Sequence, residues 1–187
     1  MELIKEVCQD VEARMQKVIE LAKKDFGAIR TSRANPAILD RVMVECYGSQ
    51  MPLNQVANVS APEPRMILVQ PWDKTILGQV EKAILKADLG FNPVNDGNVI
   101  RLAIPQLTEE RRREFVKILK KDAEEKRVAI RGVRRDANEK LKKMEKDGEI
   151  TEDEQKKGMD EIQKLTDKYI AEIDKLMASK EQEIMEV

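Results

Sequence analysis

The chain has 187 residues, enough for one compact domain or two small ones with a sizeable hydrophobic core. It contains no histidine, which excludes catalysis by Ser-His-Asp or Cys-His groups and any metal site or general base built on histidine. Charged residues make up 37% of the sequence and aromatic residues only 3%, a balance typical of long helices surrounded by solvent.

The formal net charge of −1 hides an uneven distribution of charge along the chain. Residues 109–146 hold 15 basic and 9 acidic side chains, whereas residues 147–187 hold 6 basic and 13 acidic ones. A basic segment followed by an acidic one gives an asymmetric surface that can steer a polyanion to one side. This distribution makes a nucleic acid a candidate partner.

The cysteines and the first residues both indicate a cytoplasmic protein. Cys8 and Cys46 lie far apart, without CxxC or Cys/His spacing, and are interpreted as reduced thiols. The opening residues, Met1 to Glu6, are too charged for a signal peptide, and no run approaches the ~18 apolar residues of a membrane span. We therefore expect no membrane association.

Three segments carry the apolar spacing of three and four residues that is typical of amphipathic helices. In residues 2–29 the apolar positions are Ile4, Val7, Val11, Met15, Val18, Ala22, Phe26 and Ile29. In residues 109–145, interrupted only by Lys126, they are Phe115, Leu119, Ala123, Ile130, Val133, Ala137, Leu141 and Met144. In residues 152–185 they are Ile162, Leu165, Tyr169, Ile173, Leu176 and Ile184.

The second of these helices would be about 55 Å long, so it needs partners of similar length. Thr108 is a plausible N-cap for it, and Asp147-Gly148 would end it. Thr151 and Glu154 form a capping-box pattern that opens the third helix. The sequence therefore predicts an antiparallel hairpin of helices two and three, with helix one packed alongside.

Residues 31–106 differ from the rest, because all seven prolines lie there. Apolar or alternating runs predict strands at 42–46, 53–60, 65–69 and 99–104, and a helix over 74–87 that Asp73 caps. The last strand is preceded by Asn95-Asp96-Gly97, which is typical of a hairpin turn. We interpret this segment as a small α+β domain inserted into the helical bundle.

An inserted domain requires two chain crossings, near residues 30–35 and 103–107, and two such crossings act as a hinge. The predicted domains are residues 1–30 with 107–187, and residues 31–106. The predicted hinge residues are Arg30, Thr31, Ser32, Arg33, Pro105, Gln106 and Leu107.

The long middle helix is predicted to carry a basic face. At about 100° per residue, seven cations fall within about 140° of one another: Arg112, Arg113, Lys120, Arg127, Arg131, Arg134 and Arg135. Arginine suits planar, bidentate recognition of phosphate and stacking on bases. One interpretation is contact with RNA, and the other is a solvated face that pairs with the acidic third helix. Four arginines among residues 127–135 exceed what solubility requires, which favours RNA.

Other function classes have less support. The paired acids, such as Glu109-Glu110 and Glu124-Glu125, have no partner base or metal ligand, so a carboxylate-dependent nuclease is disfavoured. We find no glycine-rich phosphate loop. Trp72 is expected to pack in the core or in a turn, and Gly132 is interpreted as tolerated within its helix. A coiled-coil scaffold for protein partners stays open as an alternative.

Several short motifs occur in an order that matches a known family: Ile29-Arg30-Thr31-Ser32-Arg33-Ala34-Asn35-Pro36, Glu45-Cys46-Tyr47-Gly48, Pro52-Leu53, Val80-Glu81-Lys82-Ala83-Ile84, Asp88-Leu89-Gly90-Phe91-Asn92-Pro93, Leu107-Thr108-Glu109-Glu110-Arg111-Arg112 and Val133-Arg134-Arg135-Asp136-Ala137-Asn138. In these motifs the chain resembles bacterial ribosome recycling factors over its full length.

The resemblance implies an α+β protein, L-shaped and of near-tRNA dimensions, in which a long three-helix bundle carries a small β/α/β domain on a flexible hinge. Such factors bind the 70S ribosome after termination. With elongation factor G and GTP they split it into subunits, so that mRNA and tRNA are released. The partner hydrolyses the GTP, so no catalytic residue, metal or cofactor is expected on this chain, which we expect to be a monomer.

The resemblance also gives the basic face a target, the rRNA of the large subunit. Arg134 matches the arginine of the family that is most strongly expected to make that contact. The other expected rRNA-binding residues are Arg131, Arg135, Arg112, Arg127 and Arg30. The small domain would face elongation factor G and the small subunit.

Overall fold

The computed structural model describes residues 1–186 and has three long helices and a small region of short strands. The long helices are α1 (Glu2–Gly27), α4 (Glu109–Lys146) and α5 (Glu152–Met185). Between α1 and α4 lie β1 (Met43–Cys46), β2 (Ser49–Pro52), α2 (Leu53–Val56), β3 (Ala57–Glu63), β4 (Met66–Pro71), α3 (Leu77–Lys86), β5 (Pro93–Asn95) and β6 (Ile100–Ala103). Short 3₁₀ turns occupy Pro36–Leu39 and Lys74–Ile76.

The ends of the long helices follow the capping signals in the sequence. The Arg111 N–H donates to Thr108 Oγ1 at 3.2 Å, which confirms the predicted cap of α4. At the start of α5 the Glu154 N–H donates to Thr151 Oγ1 at 3.2 Å, and the Thr151 N–H donates to Glu154 Oε2 at 3.0 Å. These two bonds form the predicted capping box.

All three long helices contact one another through side chains as well as through a shared core. Arg14 of α1 pairs with Asp136 of α4 at 3.0 Å, and the Tyr169 hydroxyl of α5 donates to Glu12 of α1 at 3.0 Å. The buried face of α1 follows the predicted spacing with one difference. Ile19, not Val18, is buried, because the step after Met15 is four residues instead of three.

Two helical glycines have opposite surroundings. Gly158 is buried, and a Cβ added there would lie 2.9 Å from Leu141 Cδ1 and 3.3 Å from Ile4 Cδ1. A Cβ added at Gly132 would meet no described heavy atom within 4 Å. Gly158 thus allows close approach of the three helices, whereas packing does not require a glycine at position 132.

We expect Gly132→Ala to raise the free energy of unfolding by about 1 kcal/mol, because alanine costs less backbone entropy than glycine inside a helix. Gly158→Ala is the matched comparison. The added Cβ would force Leu141 and Ile4 to shift, and this cost offsets the stability gained from the higher helix propensity of alanine. We therefore expect Gly158→Ala to be less stable than Gly132→Ala by about 1 kcal/mol. Urea unfolding followed by circular dichroism measures both. Equal stability of the two variants would contradict this account.

The strands form two antiparallel sheets. Strands β3, β4, β6 and β5 are neighbours in that order in a four-stranded sheet, and β1 pairs with β2 in a separate hairpin. The turn of that hairpin is Tyr47-Gly48, both with positive φ (51° and 77°), which matches a two-residue hairpin loop. Helix α3 covers part of the core, which includes Leu39, Val44, Leu53, Val56, Ile67, Val69, Val80, Ile84, Ile100 and Leu102.

The predicted strand over residues 53–60 is wrong in its first half. Residues Leu53–Val56 form the short helix α2, in which Leu53 and Val56 are buried and the two residues between them are exposed. That three-residue spacing is helical, and a run of eight residues is too short to separate it from strand alternation. The strands β2 and β5 have no apolar run of their own and were missed.

Other expectations for this region are confirmed. Asp73 accepts from the Thr75 N–H at 2.9 Å at the start of the 3₁₀ turn that leads into α3. Asp96 lies in the β5–β6 hairpin turn, where the N–H groups of Val99 and Asn98 and the Arg101 guanidinium lower the pKa of its carboxyl group to about 2. Trp72, however, is exposed and does not pack in the core.

By internal contacts the chain divides into two compact units, Met1–Ile29 with Arg113–Gln182, and Arg30–Arg112 with Glu183–Val187. The described end of α5 therefore groups with the second unit. The domain boundaries inferred from the sequence stay a prediction. Across residues 1–186 we find no helix with the length and apolar character needed to cross a membrane.

Candidate nucleic-acid interface

Three of the predicted arginines, Arg131, Arg134 and Arg135, lie within two turns of α4 with guanidinium groups at the surface. Arg131 pairs with Glu124 at 3.2 Å, and 41% of its side chain is exposed. Arg134 donates to the amide oxygen of Gln163 at 3.2 Å. Arg135 is exposed, and its side chain has no hydrogen bond or ion pair with any other residue of the described chain. We call these three residues the arginine cluster.

The electrostatics of the cluster favour an anionic partner. Hydrogen bonds from Arg127 and Arg131 lower the pKa of the Glu124 carboxyl group, which stays ionised at neutral pH. Glu124 therefore neutralises part of the positive charge of the cluster beside Arg131. Arg134 faces a neutral amide, and Arg135 keeps its charge uncompensated, so both can donate to phosphate oxygens without losing an ion pair.

Arg127 has a different environment from the cluster. Only 17% of its side chain is exposed, and it pairs with Asp174 of α5 at 2.7 Å and with Glu124 at 3.0 Å. Burial lowers the pKa of its guanidinium, but the hydrogen bonds to Asp174 and Glu124 outweigh burial and raise it. The alternative interpretation, pairing with the acidic third helix, therefore describes Arg127.

Arg112 and Arg30 do not join the cluster either. Arg112 is buried, with 8% of its surface exposed, and its Nε has no hydrogen-bond partner among the described residues. Its position on α4 explains this burial, because it lies in the same angular sector as the apolar residues. Arg30 belongs to the second unit, where its Nη1 would lie 3.0 Å from a Cβ at Gly90.

The predicted hinge residues are linked by hydrogen bonds within the second unit. The Leu107 N–H donates to Ser32 Oγ at 3.2 Å, which joins the two chain crossings directly. Thr31 Oγ1 accepts from the Arg33 N–H at 3.1 Å and donates to Glu183 Oε1 at 3.3 Å. Arg33 pairs with Glu186 at 2.6 Å. Thr31 and Ser32 are buried, whereas Pro105 and Gln106 are exposed.

A family model described as ribosome recycling factor matches residues 22–185, which include the arginine cluster and both crossings. The chain belongs to the ribosome recycling factor family. This confirms the resemblance seen in the sequence motifs.

Individual recycling factors match the chain over nearly its whole length. The ribosome-recycling factor of Syntrophomonas wolfei is 59% identical to this chain, and the alignment covers 99% of this chain and 100% of that protein. A solution structure of a ribosome recycling factor has a TM-score of 0.79 at 45% identity, with full coverage of both chains. Another match shows the T. thermophilus ribosome recycling factor with E. coli elongation factor G on the E. coli post-termination complex. Its TM-score is 0.67 at 48% identity, covering 98% of this chain and 99% of that one.

Two residues beside the arginine cluster were missed by the sequence analysis. Asn138 follows the cluster by one turn, and its side-chain oxygen is buried without a hydrogen-bond partner in the described chain. Gln163 of α5 orients Arg134. Helical phase places Asn138 on the basic face, so that signal was available in the sequence. No pattern within α4 identifies Gln163, because it lies on another helix.

Proposed function

We propose that this chain recycles ribosomes. It binds the post-termination 70S ribosome and, with elongation factor G and GTP, separates the subunits so that mRNA and tRNA are released. The proposal is supported by family membership and by the related T. thermophilus factor, which is placed with elongation factor G on a post-termination complex. The observation that carries it for this chain is the exposed arginine cluster on α4.

The first step of the proposed mechanism is electrostatic anchoring of the cluster on rRNA of the large subunit. Guanidinium groups bind phosphate oxygens through charge-assisted, often paired hydrogen bonds, and each contact releases counterions from the RNA. Arg134 and Arg135 are the principal anchors in this proposal because neither has to give up an ion pair. Arg131 contributes after it releases Glu124, a surface pair worth about 0–1 kcal/mol.

The second step requires stiffness. Helix α4 has 38 residues and is therefore about 57 Å long. It is fixed to α1 through Lys126 and Asp25, at 2.7 Å, and to α5 through Arg127 and Asp174, also at 2.7 Å. A helix held on two sides can transmit force along its length without bending. In this proposal Arg127 braces the anchor and does not touch RNA.

The third step is movement at the crossings. Elongation factor G would push the second unit while the bundle stays anchored, and the chain path between the units would bend near residues 30–35 and 103–107. The chain would supply geometry and no covalent chemistry, so GTP would be bound and hydrolysed by the partner alone. A factor of this kind would work as a monomer in the cytoplasm.

The test of the proposed function is subunit splitting. Purified chain, elongation factor G and GTP should together convert post-termination ribosomes into subunits, measured by light scattering and by sucrose-gradient sedimentation. Omission of any one component, or GDP in place of GTP, should leave the 70S particles intact. If the complete mixture leaves them joined while a second member of the family splits them, the proposal is wrong for this chain.

A further inference from the structure

Trp72 is exposed, and hydrogen bonds hold its backbone in place. It keeps 69% of its surface accessible, and it is the one tryptophan of the sequence. Its backbone N–H donates to the Val56 carbonyl at 3.2 Å, and the side chain of the next residue, Asp73, accepts hydrogen bonds from Thr75 and Tyr47. The backbone that presents the indole is therefore fixed on both sides, which lowers the entropic cost of using the ring as a binding anchor.

A cavity of about 310 Å³ lies against this indole. Leu39 is one of its apolar lining residues, and three residues with polar side chains also line it, Asp40, Asn54 and Asn58. All three are exposed, and Asp40 forms no ion pair within the described part of the chain. The lining of the cavity thus includes one aromatic residue, one carboxylate residue and two amide residues.

We propose that this cavity receives an arginine side chain of a protein partner. A guanidinium stacks on an aromatic ring, donates two parallel hydrogen bonds to a carboxylate, and has further N–H groups for the amide oxygens of Asn54 and Asn58. Lysine is a poorer match, because its ammonium neither stacks nor donates in a plane. Tryptophan and arginine are also the residue types most enriched where binding energy concentrates in protein interfaces.

The charge of the cavity argues against a nucleobase as the occupant. Sites for single-stranded RNA combine aromatic rings with a positively charged groove for the phosphates. The residues that line this cavity carry one negative charge, on Asp40, and no positive charge. The site lies in the second unit, whereas the arginine cluster lies in the first, so this interaction is independent of the proposed rRNA contact.

The test uses Trp72 itself as the reporter. We would titrate the full chain with the peptide acetyl-Gly-Arg-Gly-amide and follow tryptophan fluorescence, together with the NMR signals of the Asn54 and Asn58 side-chain amides. We expect saturation with a dissociation constant on the order of 1 mM, as befits a single side chain. The same peptide with citrulline, which keeps the shape and removes the charge, should bind at least about tenfold more weakly.

Three variants make the result specific. Asp40→Asn should weaken the arginine peptide about tenfold, and Trp72→Ala should abolish the shifts of Asn54 and Asn58. Asp88→Asn removes an exposed carboxylate of the same unit that does not line the cavity, and it should bind like the wild type. Equal binding of citrulline or lysine peptides, no effect of Asp40→Asn, or tighter binding of a penta-adenylate would each overturn the assignment. No ribosome takes part, so failure here leaves the proposed function unaffected.

Discussion

Replacing Arg131, Arg134 and Arg135 together with alanine is expected to weaken binding to large ribosomal subunits on the order of a hundredfold near physiological salt, because charge-assisted hydrogen bonds to phosphate are lost. The slope of log affinity against log salt should also become shallower by about 2 to 3, since each of the three lost phosphate contacts removes roughly 0.7–0.9 from that slope. Co-sedimentation across a salt series measures both quantities. Subunit splitting should fall in parallel, because the variant no longer anchors.

The single replacements should differ in a defined order. Arg134→Ala and Arg135→Ala should each weaken binding more than Arg131→Ala, because Arg131 must first release Glu124. Arg127→Ala should act mainly on the free energy of unfolding, since its guanidinium is already paired with Asp174. These expectations separate residues that bind the partner from those that hold the bundle.

The matched control removes the same charge from another surface of the same unit. Lys5, Lys17 and Lys24 of α1 are exposed and form no ion pairs within residues 1–186, so their triple alanine variant has the same net charge as the arginine variant. It should keep nearly wild-type binding. If the two triple variants lose affinity equally, the contact depends on overall charge and not on the cluster. Full binding of large subunits by the arginine variant would show that the cluster is not the anchor.

Helical phase predicted the position of the cluster, but it did not predict which arginine side chains form ion pairs. A 3.6-residue period places Arg131, Arg134 and Arg135 on one side of α4, and the structure places them there. The period cannot show which arginines meet a carboxylate from a neighbouring helix, because that depends on the register of α5 against α4. Arg127 meets Asp174 for this reason.

The long helices were predictable because their signals are repeated over many turns and end in capping residues. The region between them was harder, because its elements are short. Strand β5 has three residues and pairs with β6 through backbone groups. Backbone pairing does not require a particular pattern of apolar side chains, so the sequence does not indicate this strand. The exposure of Trp72, whose backbone N–H donates to Val56 at the end of α2, had no signal in the sequence.

Lys126 interrupts the apolar stripe of α4 in the sequence, and the structure explains how the bundle accepts it. Only 9% of its side chain is exposed, and its ammonium donates to Asp25 of α1 at 2.7 Å and to Asp122 at 2.9 Å. Burial lowers the pKa of Lys126, but the hydrogen bonds to the two carboxylates outweigh burial and raise it above its usual value. The buried charge is therefore compensated and fixes the register of α1 against α4.

Lys126→Ala is expected to lower the free energy of unfolding by about 3 kcal/mol, the lower end of what breaking a buried ion pair costs, because Asp25 is 37% exposed and stays partly hydrated. Lys120→Ala is the control on the same helix. Lys120 is 59% exposed and lies 3.8 Å from Glu181, so its replacement should cost less than about 1 kcal/mol. Urea unfolding monitored by helical circular dichroism compares them, and a similar small loss for both would contradict a structural role for Lys126.

The pH dependence of the same variants tests the charge itself. Because folding raises the pKa of Lys126, its stabilisation is fully present below its unfolded pKa of about 10.4 and is lost as pH rises through the higher folded value. Lys126→Met keeps the aliphatic stem and lacks the charge, so the wild type should exceed it in stability at pH 7, and this difference should shrink above about pH 10.4. A difference that stays constant up to alkaline unfolding would mean that packing of the stem, and not the ion pairs, makes Lys126 necessary.

Repeating the comparison in the Asp25→Asn background removes the carboxylate that comes from α1, and the difference at pH 7 should then fall because one of the two pairs is gone.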